Sequence, residues 1–191
     1  MSTDQARPLR ADAARNRARL LDVAAQVFAD RGVSVTTEEI AKAAGVGVGT
    51  LFRHFPTKEA LLEAVLLRRL ETLSTEIARL LAEQDPAAAF FATFTLVIDQ
   101  SAGKNEYARA LAAAGIDVHQ SLQEPAQVLR ARLTEVLTGA QQAGAVRADL
   151  GVPELQALLV GTADMVERLS ADPAGRERIF SVIFNGLRPS R

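Results

Sequence analysis

Residues 36–55 have the length and pattern of two short helices joined by a glycine turn. Thr36 and Glu39 have the spacing of a capping box, which predicts that the first helix begins directly after the threonine. Gly45 stands where this helix should end, because glycine adopts a left-handed backbone conformation without steric cost. A second helix is then predicted over about residues 48–54. The segment therefore indicates a helix-turn-helix, which restricts the first part of the chain to a small helical domain.

Apolar residues at helical spacing predict the inward face of this unit, which consists of Ile40, Ala44, Val46, Leu51 and Phe55. The second helix leaves other residues outside that face, namely Val48, Gly49, Thr50, Phe52 and Arg53. Such an exposed run needs a partner surface, and the major groove of DNA accepts a helix of this kind. The alternative interpretation is a plain pair of packed helices.

The pattern extends over residues 15–66 and includes Thr36, Glu39, Ile40, Ala41, Ala44, Gly45, Val46, Gly49, Thr50, Leu51, Phe52, His54, Phe55, Lys58, Glu59, Leu61 and Leu62. It closely resembles the DNA-binding domain of the tetracycline-repressor (TetR) family of transcriptional regulators. The resemblance implies a dimeric, ligand-responsive regulator, in most cases a repressor. It also implies an all-α fold with a C-terminal helical domain for ligand binding and dimerisation.

Two positions depart from the usual pattern of that family. Gly47 stands where a Ser or Thr often caps the second helix, and Phe52 stands where a Tyr usually offers its hydroxyl to a phosphate. Glycine is an acceptable cap, so the fold should persist. The phenylalanine removes one hydrogen bond that would position the DNA backbone. Operator affinity is therefore expected to depend more on His54, Lys58 and the arginines of the first helix.

The resemblance and the expected exposure predict two groups of DNA contacts. The group expected to contact base edges, a thymine methyl or a sugar consists of Thr50, Arg53, Val48 and Gly49. The group expected to position the DNA backbone consists of Thr37, Phe52, His54 and Lys58. A positive charge in the first turn of a helix interacts unfavourably with the helix dipole. The position of Lys58 therefore indicates a functional role, and a surface lysine without a role is the alternative.

The charge distribution agrees with this assignment. Residues 1–58 contain nine Lys and Arg against six Asp and Glu, whereas residues 59–191 contain thirteen against seventeen. The basic end of the chain is the end with the helix-turn-helix, as contact with a phosphate backbone requires. Residues 1 to about 11 are polar and aperiodic, which predicts a flexible arm that reaches a minor groove or remains a solvated tail.

Helical periodicity and caps predict about nine helices and no strand. The first helix is expected over about 12–30, and a long helix over 61–83 is expected to connect both domains. The remaining helices are expected over about 87–98, 106–114, 121–144, 153–170 and 173–186. We therefore predict a DNA-binding domain over residues 1–57 and a ligand-binding and dimerisation domain over residues 58–191.

The sequence offers no catalytic or metal site. It contains no cysteine and only two histidines, which lie far apart, and it lacks a paired-carboxylate or metal-ligand spacing. The glycines of the turn differ from a phosphate-binding loop because no strand precedes them. No cofactor is expected. No stretch has the character of a signal peptide or the length of a membrane span, so the expected location is the cytoplasm.

A small apolar or aromatic effector is expected in the second domain, because buried aromatic side chains suit a flat apolar ligand. The candidate pocket residues are Phe90, Phe94, Ile98, Tyr107, Leu111 and Leu129. A filled core is the alternative for the same residues. The last two helices carry more apolar surface than one inward stripe on each requires, which predicts a homodimer interface. Its candidates are Leu155, Leu158, Leu159, Thr162, Val166, Ile179, Val182 and Ile183.

In this interpretation two recognition helices about 34–36 Å apart meet successive major grooves of a near-palindromic operator in double-stranded DNA. An effector that prefers a state with another spacing would release the DNA. The competing interpretation is a helical protein-interaction module without a ligand response. Only the DNA-binding protein should show a steep salt dependence on mixed DNA.

Overall fold

The structure of the chain is a computed structural model that describes residues 6–101, 104–115, 119–169 and 172–189. Within these ranges the chain forms nine α-helices and no strand, so the all-α prediction is confirmed. The helices are α1 (Ala6–Arg31), α2 (Thr37–Ala43), α3 (Val48–His54), α4 (Lys58–Glu83), α5 (Pro86–Ser101), α6 (Lys104–Ala113), α7 (His119–Gln142), α8 (Val152–Arg168) and α9 (Pro173–Leu187). No helix in the described ranges is long and apolar enough to cross a membrane.

The chain divides into two compact units. The N-terminal unit consists of Met1–Arg68 and Gly103–Gln120, and the C-terminal unit consists of Arg69–Ala102 and Ser121–Arg191. Helix α4 therefore contributes its beginning to one unit and its remainder to the other, whereas α6 belongs to the N-terminal unit. Sequence periodicity gave no reason to group α6 with the helix-turn-helix.

The core of the N-terminal unit is apolar and includes Leu20, Ala24, Phe28, Val35, Ile40, Ala41, Leu51, Phe55, Leu61, Val65, Tyr107 and Leu111. Tyr107 explains why α6 belongs here: its ring is fully buried and meets Phe28 edge to face, with 5.8 Å between the ring centroids. Such aromatic pairs add to the free energy gained by burying their apolar surface. Helix α6 is thus fixed to α1 by a contact between residues that are far apart in the sequence.

Helix α1 begins at Ala6, earlier than the start at about residue 12 that periodicity indicated. Pro8 lies in the first turn of the helix, where its missing N–H group has no intrahelical role. The surrounding alanines, leucine and arginines have high helix propensity. Residues 1–5 of the predicted arm lie outside the described residues, and residues 6–11 belong to α1.

The predicted capping box at the start of α2 is confirmed. Thr36 Oγ1 accepts a hydrogen bond from Glu39 N at 3.3 Å, and Glu39 Oε2 accepts one from Thr36 N at 2.9 Å. The helix ends in a turn at Gly45, whose φ of 68° lies in the left-handed region. The turn is closed by Val46 N, which donates to Ala41 O at 3.0 Å. Local residue chemistry therefore sets both ends of α2.

The C-terminal unit is built around α5, which is almost entirely apolar and packs against α8. Asp85 caps α5 by accepting hydrogen bonds from Ala87 N and Ala88 N, each at 3.0 Å. The core of the C-terminal unit consists of Leu73, Ile77, Phe90, Phe94, Ile98, Leu133, Val136, Leu137, Ala140, Val146, Leu155, Leu159 and Leu187. Phe90, Phe94 and Ile98 of α5 therefore lie in the core of this unit.

Helix α7 differs from its prediction at its start. It begins at His119, so Pro125 lies inside the helix and not in its first turn. Proline at such a position has no N–H group to donate to the carbonyl four residues earlier. Ser121, where the sequence placed the start of this helix, is therefore a position inside it.

Glu39 generates a prediction about pH. The hydrogen bond from Thr36 N, and then the one from the Arg31 guanidinium, hold the pKa of Glu39 below its ordinary value. A lowered folded-state pKa contributes stability above the unfolded-state pKa, and this contribution is lost as the pH falls through the folded-state pKa. Glu39→Gln should therefore lower the melting temperature at neutral pH, and the difference from the wild type should shrink in acid.

Thermal unfolding of the variant and the wild type between neutral pH and about pH 3 measures this difference. Glu38→Gln removes the same charge from the neighbouring position and is the matched control. A melting-temperature difference for Glu39→Gln that stays constant over the whole pH range would contradict the assignment.

Candidate DNA-binding interface

Helix α3 is held by its inward residues and presents its other side to solvent. Leu51 is fully buried and Phe55 is 2% exposed, and Phe55 N donates to Leu51 O at 2.8 Å to close the helix. The outward side chains differ in exposure. The exposed residues are Gly49, Phe52 and Arg53, and the half-buried ones are Val48, Thr50 and His54. Phe52 is 40% exposed, which is unusual for a large aromatic side chain.

Gly49 has no structural need to be glycine within the described part of the chain. Its φ is not positive, and a Cβ atom built on it would meet nothing within 4 Å. Glycine inside a helix costs about 0.5–1 kcal/mol of stability relative to alanine. The described part of the chain therefore permits an alanine at this position, and a contact of Gly49 with a partner surface stays a prediction.

Gly47 caps α3 without a side-chain hydrogen bond, as the departure from the family pattern implies. Its carbonyl accepts hydrogen bonds from Thr50 N at 2.9 Å and Leu51 N at 3.3 Å. Its φ of −72° suits any residue, and a Cβ atom there would also meet nothing within 4 Å. A serine cap is therefore sterically permitted at this position.

Arg53 and Lys58 provide positive charge that the described part of the chain does not neutralise. Lys58 opens α4, and Thr57 caps that helix by accepting a hydrogen bond from Ala60 N at 3.0 Å. No described carboxylate forms an ion pair with Arg53 or Lys58, whereas Arg31 pairs with Glu39. Both cations are thus available to a phosphate or a base edge.

Arg17 and Arg19 of α1 make contacts inside their own unit. The guanidinium of Arg17 lies 5.0 Å from the centre of the Phe55 ring. Arg19 Nη2 donates to Ala44 O at 3.2 Å and so satisfies a carbonyl at the end of α2. From the sequence, a phosphate contact by one of Arg15, Arg17 and Arg19 and a solvated face were equally expected. The sequence did not indicate the observed contacts, because the ring and the carbonyl lie far away along the chain. The contact of these arginines with phosphate stays a prediction.

Thr37, the remaining expected DNA contact, is the first residue of α2 and is half-buried. Its hydroxyl donates to Glu38 Oε2 at 3.3 Å. Thr37 is the first residue of α2 and Lys58 is the first residue of α4. Together with the outward residues of α3, they belong to the N-terminal unit. Their contact with DNA stays a prediction.

The predicted effector residues do not form one cavity. Phe90, Phe94 and Ile98 are buried in the core of the C-terminal unit, and Leu129 packs against that core half-buried. The other two, Tyr107 and Leu111, belong to the core of the N-terminal unit. A small cavity of about 10 Å³ in the C-terminal unit is lined by Phe90, Thr93, Phe94, Leu133, Val136, Leu155 and Leu159.

The predicted dimer residues divide into two sets. Leu155, Leu159 and Thr162 are at most 5% exposed and belong to the core of their own chain, so they present no surface to a partner. Leu158 is 36% exposed and Val182 is 73% exposed. The half-buried members are Val166, Ile179 and Ile183.

The structure also exposes Met165, which sequence reasoning missed, and Leu169, which the sequence placed among the surplus apolar residues of the last two helices. Met165 is 44% exposed and Leu169, which follows α8 directly, is 38% exposed. With Leu158 and Gly161 they form a stripe at intervals of three and four residues, the spacing of one helix face. The outer stripe, as we name these four residues, is offset from the inward stripe of α8. The spacing of these residues was visible in the sequence, but the sequence did not show which side of α8 faces the core.

The candidate sites lie within regions that match known protein families. Residues 20–65 match the model of bacterial regulatory proteins of the tetR family, and residues 85–189 match that of the C-terminal domain of SbtR-like transcriptional regulators. The second match alone covers more than half of the chain. The chain belongs to the TetR family. Because this is a family of transcriptional regulators and not of enzymes, the expectation of a non-enzymatic protein is confirmed.

Solved structures of TetR regulators resemble nearly the whole chain. A TetR regulatory protein of Mycobacterium vanbaalenii is 41% identical with a TM-score of 0.78, covering 95% of this chain and 100% of that one. The regulator SCO0520 of Streptomyces coelicolor is 35% identical with a TM-score of 0.74, covering 92% and 99%. The fold is therefore that of the TetR family over nearly its full length.

Curated relatives match over a shorter region. An HTH-type transcriptional regulator of Staphylococcus aureus is 38% identical over 73 residues, which is 40% of its own length. The HTH-type transcriptional repressor KstR2 of Rhodococcus jostii is 45% identical over 58 residues, which is 28% of its length. The matched part of this chain thus spans less than half of the length of these curated relatives.

Gly49 generates a prediction that separates stability from binding. Gly49→Ala should raise the melting temperature by a few degrees, because it removes roughly 0.5–1 kcal/mol of helix cost without a clash. It should also weaken binding to DNA, because the new methyl group lies where α3 meets its partner. Thermal unfolding and a DNA titration of the same sample measure both effects.

The matched control is Gly139→Ala in α7, where a Cβ atom would make only an ordinary contact with Pro86 at 3.7 Å. It should keep DNA affinity unchanged. Unchanged DNA affinity for Gly49→Ala would show that α3 does not need glycine for its partner.

Proposed function

We propose that this protein is a dimeric, sequence-specific DNA-binding repressor that a small-molecule effector releases from its operator. The outward surface of α3, where Gly49 lies beside exposed Phe52 and Arg53, carries this proposal. This short helix exposes an aromatic ring, a cation without an ion-pair partner in the described chain, and a glycine that the fold does not require. Such a surface suits contact with a DNA major groove better than exposure to solvent. The name of the Rhodococcus jostii relative supports a repressor over an activator.

The contacts with DNA follow from the chemistry of the outward residues. Arg53 has the donors to read a guanine edge, and the hydroxyl of Thr50 suits either a base or a phosphate. Val48 and Gly49 allow close approach to a thymine methyl or a sugar. Lys58 contributes a charge that positions the phosphate backbone without reading sequence.

The dimer forms through the outer stripe of α8 together with Val182 and Ile183 of α9. This surface is apolar and, apart from half-buried Ile183, exposed in the single chain. It includes Gly161, which has no side chain to prevent close approach of a partner helix. A symmetric pair of such surfaces gives a four-helix contact. The two α3 helices would then address half-sites about 34–36 Å apart.

The effector acts through the parts of the chain that connect the two units. Helix α4 contributes to both units, and α6 is fixed to α1 by the contact between Tyr107 and Phe28. The neighbours of α6 along the chain, α5 and α7, supply residues to the core of the C-terminal unit. An effector bound there releases DNA only by its difference in affinity for two conformations. We place the protein in the cytoplasm, where its operator lies.

Selection of bound sequences from random double-stranded DNA tests the function directly. Enrichment of a near-palindrome with two half-sites is the expected result. Binding to mixed DNA should also weaken steeply with salt, because each neutralised phosphate releases counterions. Affinity for DNA that does not change with salt would support the competing protein-interaction module.

Lys58→Ala tests the phosphate contact. The variant should weaken binding equally on all DNA sequences and reduce the slope of the log-log salt dependence by about one. Arg130→Ala removes the same charge from an exposed position in the C-terminal unit and should keep the slope. An unchanged slope in Lys58→Ala would remove this residue from the interface.

Val182→Asp tests the dimer. Its side chain is 73% exposed in the single chain, so the substitution should leave the fold intact while it introduces a charge into the apolar subunit contact. Sedimentation should show the mass of one chain in place of two, with weaker operator binding. Val128→Asp, at an exposed position of α7, should remain a dimer. A dimeric Val182→Asp protein would place the interface elsewhere.

A further inference from the structure

Thr93 in α5 carries a buried hydroxyl group that its own chain does not satisfy. The residue is 2% exposed, and Oγ1 finds no hydrogen-bond partner in the part of the chain that the structure describes. Other hydroxyl groups of α5 behave differently. Thr95 donates to Phe91 O at 3.1 Å, and Ser101 donates to Val97 O at 2.6 Å. Unlike these two hydroxyl groups, that of Thr93 therefore makes no hydrogen bond to a backbone carbonyl of α5.

This hydroxyl group is costly to the folded chain. A buried polar group without a partner destabilises a protein by about 1–3 kcal/mol. Valine has nearly the same shape and would fill the position without that cost. A destabilising group in a well-packed core is expected where a function requires it. Thr93 thus needs an explanation outside the folding of the chain.

The surroundings of Thr93 show what kind of partner suits it. Thr93 lines the small cavity of the C-terminal unit, and all other lining residues are Phe, Leu or Val. The cavity, of about 10 Å³, is at the lower limit for one water molecule. A buried water also needs two to four polar partners, whereas the lining side chains offer one. Water is therefore a poor partner for this hydroxyl group.

The aromatic residues beside the cavity favour a flat ligand. Phe90 and Phe94 line it directly, and Phe94 meets Phe184 edge to face with 5.5 Å between the ring centroids. No charged side chain lines the cavity, which excludes a carboxylate, phosphate or ammonium group because an unpaired buried charge is costly. A ring compound is larger than this cavity, so its entry would require the Phe, Leu and Val side chains from α5, α7 and α8 to move apart. The ligand is thus neutral and largely apolar.

We propose that Thr93 is the hydrogen-bonding residue of the effector site and that it recognises the single neutral oxygen function of a flat, apolar ring compound. This inference rests on the proposed effector response and names the chemical class of the effector. The apolar lining supplies affinity, and the Thr93 hydroxyl distinguishes an oxygenated ring from the corresponding hydrocarbon. The site formed by Thr93 and the other residues that line this cavity replaces the broader set of pocket residues that the sequence suggested.

A matched pair of probes tests this recognition. 1-Indanone and indane share one ring skeleton and differ by a carbonyl group. Calorimetric titration of the full chain should give about tenfold tighter binding of 1-indanone, as one added hydrogen bond implies. Thr93→Val should bring both probes to similar affinity by weakening 1-indanone alone. Thr95→Val, on the same helix, should keep the tenfold ratio.

The melting temperature without ligand provides a second readout. Thr93→Val should raise it, because the variant removes an unpaired polar group, whereas Thr95→Val should lower it by removing a made hydrogen bond. A lower melting temperature for Thr93→Val would show that the hydroxyl has a structural role and overturn the proposal. Equal affinity of the wild type for both probes, or no binding of either, would overturn it as well.

DNA titration of the same proteins separates this inference from the proposed function. Thr93→Val should bind operator DNA like the wild type in the absence of a probe. A wild type that binds DNA but neither probe would overturn the effector site and leave the DNA-binding function standing. A wild type that binds 1-indanone through Thr93 but no DNA would overturn the proposed function and leave the site standing.

Discussion

The burial of Leu51 and Phe55 against the N-terminal core is the interaction on which the DNA-binding surface depends. Helix α3 has only seven residues. An isolated helix of that length is unstable in water, because nucleation is costly and few hydrogen bonds follow it. Two buried side chains and the glycine turn before them therefore hold the helix in place. Because these residues hold α3, its other side chains are not needed for folding and can contact a partner surface.

The two ends of α2 could be predicted from the sequence because the groups that set them are close along the chain. Thr36 and Glu39 satisfy each other three residues apart, and Gly45 needs only its own backbone freedom. The place of α6 could not be predicted in this way. It depends on Tyr107 meeting Phe28, and no local pattern indicates which of the two units an aromatic residue will join.

The candidate sites in the second part of the chain show the same limit. The sequence correctly indicated surplus apolar residues on α8 but assigned Leu155 and Leu158 to one surface. In the structure the first is buried in the core and the second is partly exposed, because positions three residues apart differ by about 60° around the helix axis and Leu158 lies at the edge of the inward face. The buried hydroxyl of Thr93 gave no signal in the sequence. Its significance lies in the missing partner, which only the packing of three helices reveals.

Helix α8 has two faces with separate roles, and this has a consequence for the behaviour of the whole assembly. Leu155 and Leu159 line the cavity, while Leu158 between them belongs to the outer stripe. If two chains associate through that stripe, a ring compound that displaces α8 in one subunit also changes the surface offered to the other. Occupation of the first cavity then alters the affinity of the second, so the response to the effector would be cooperative.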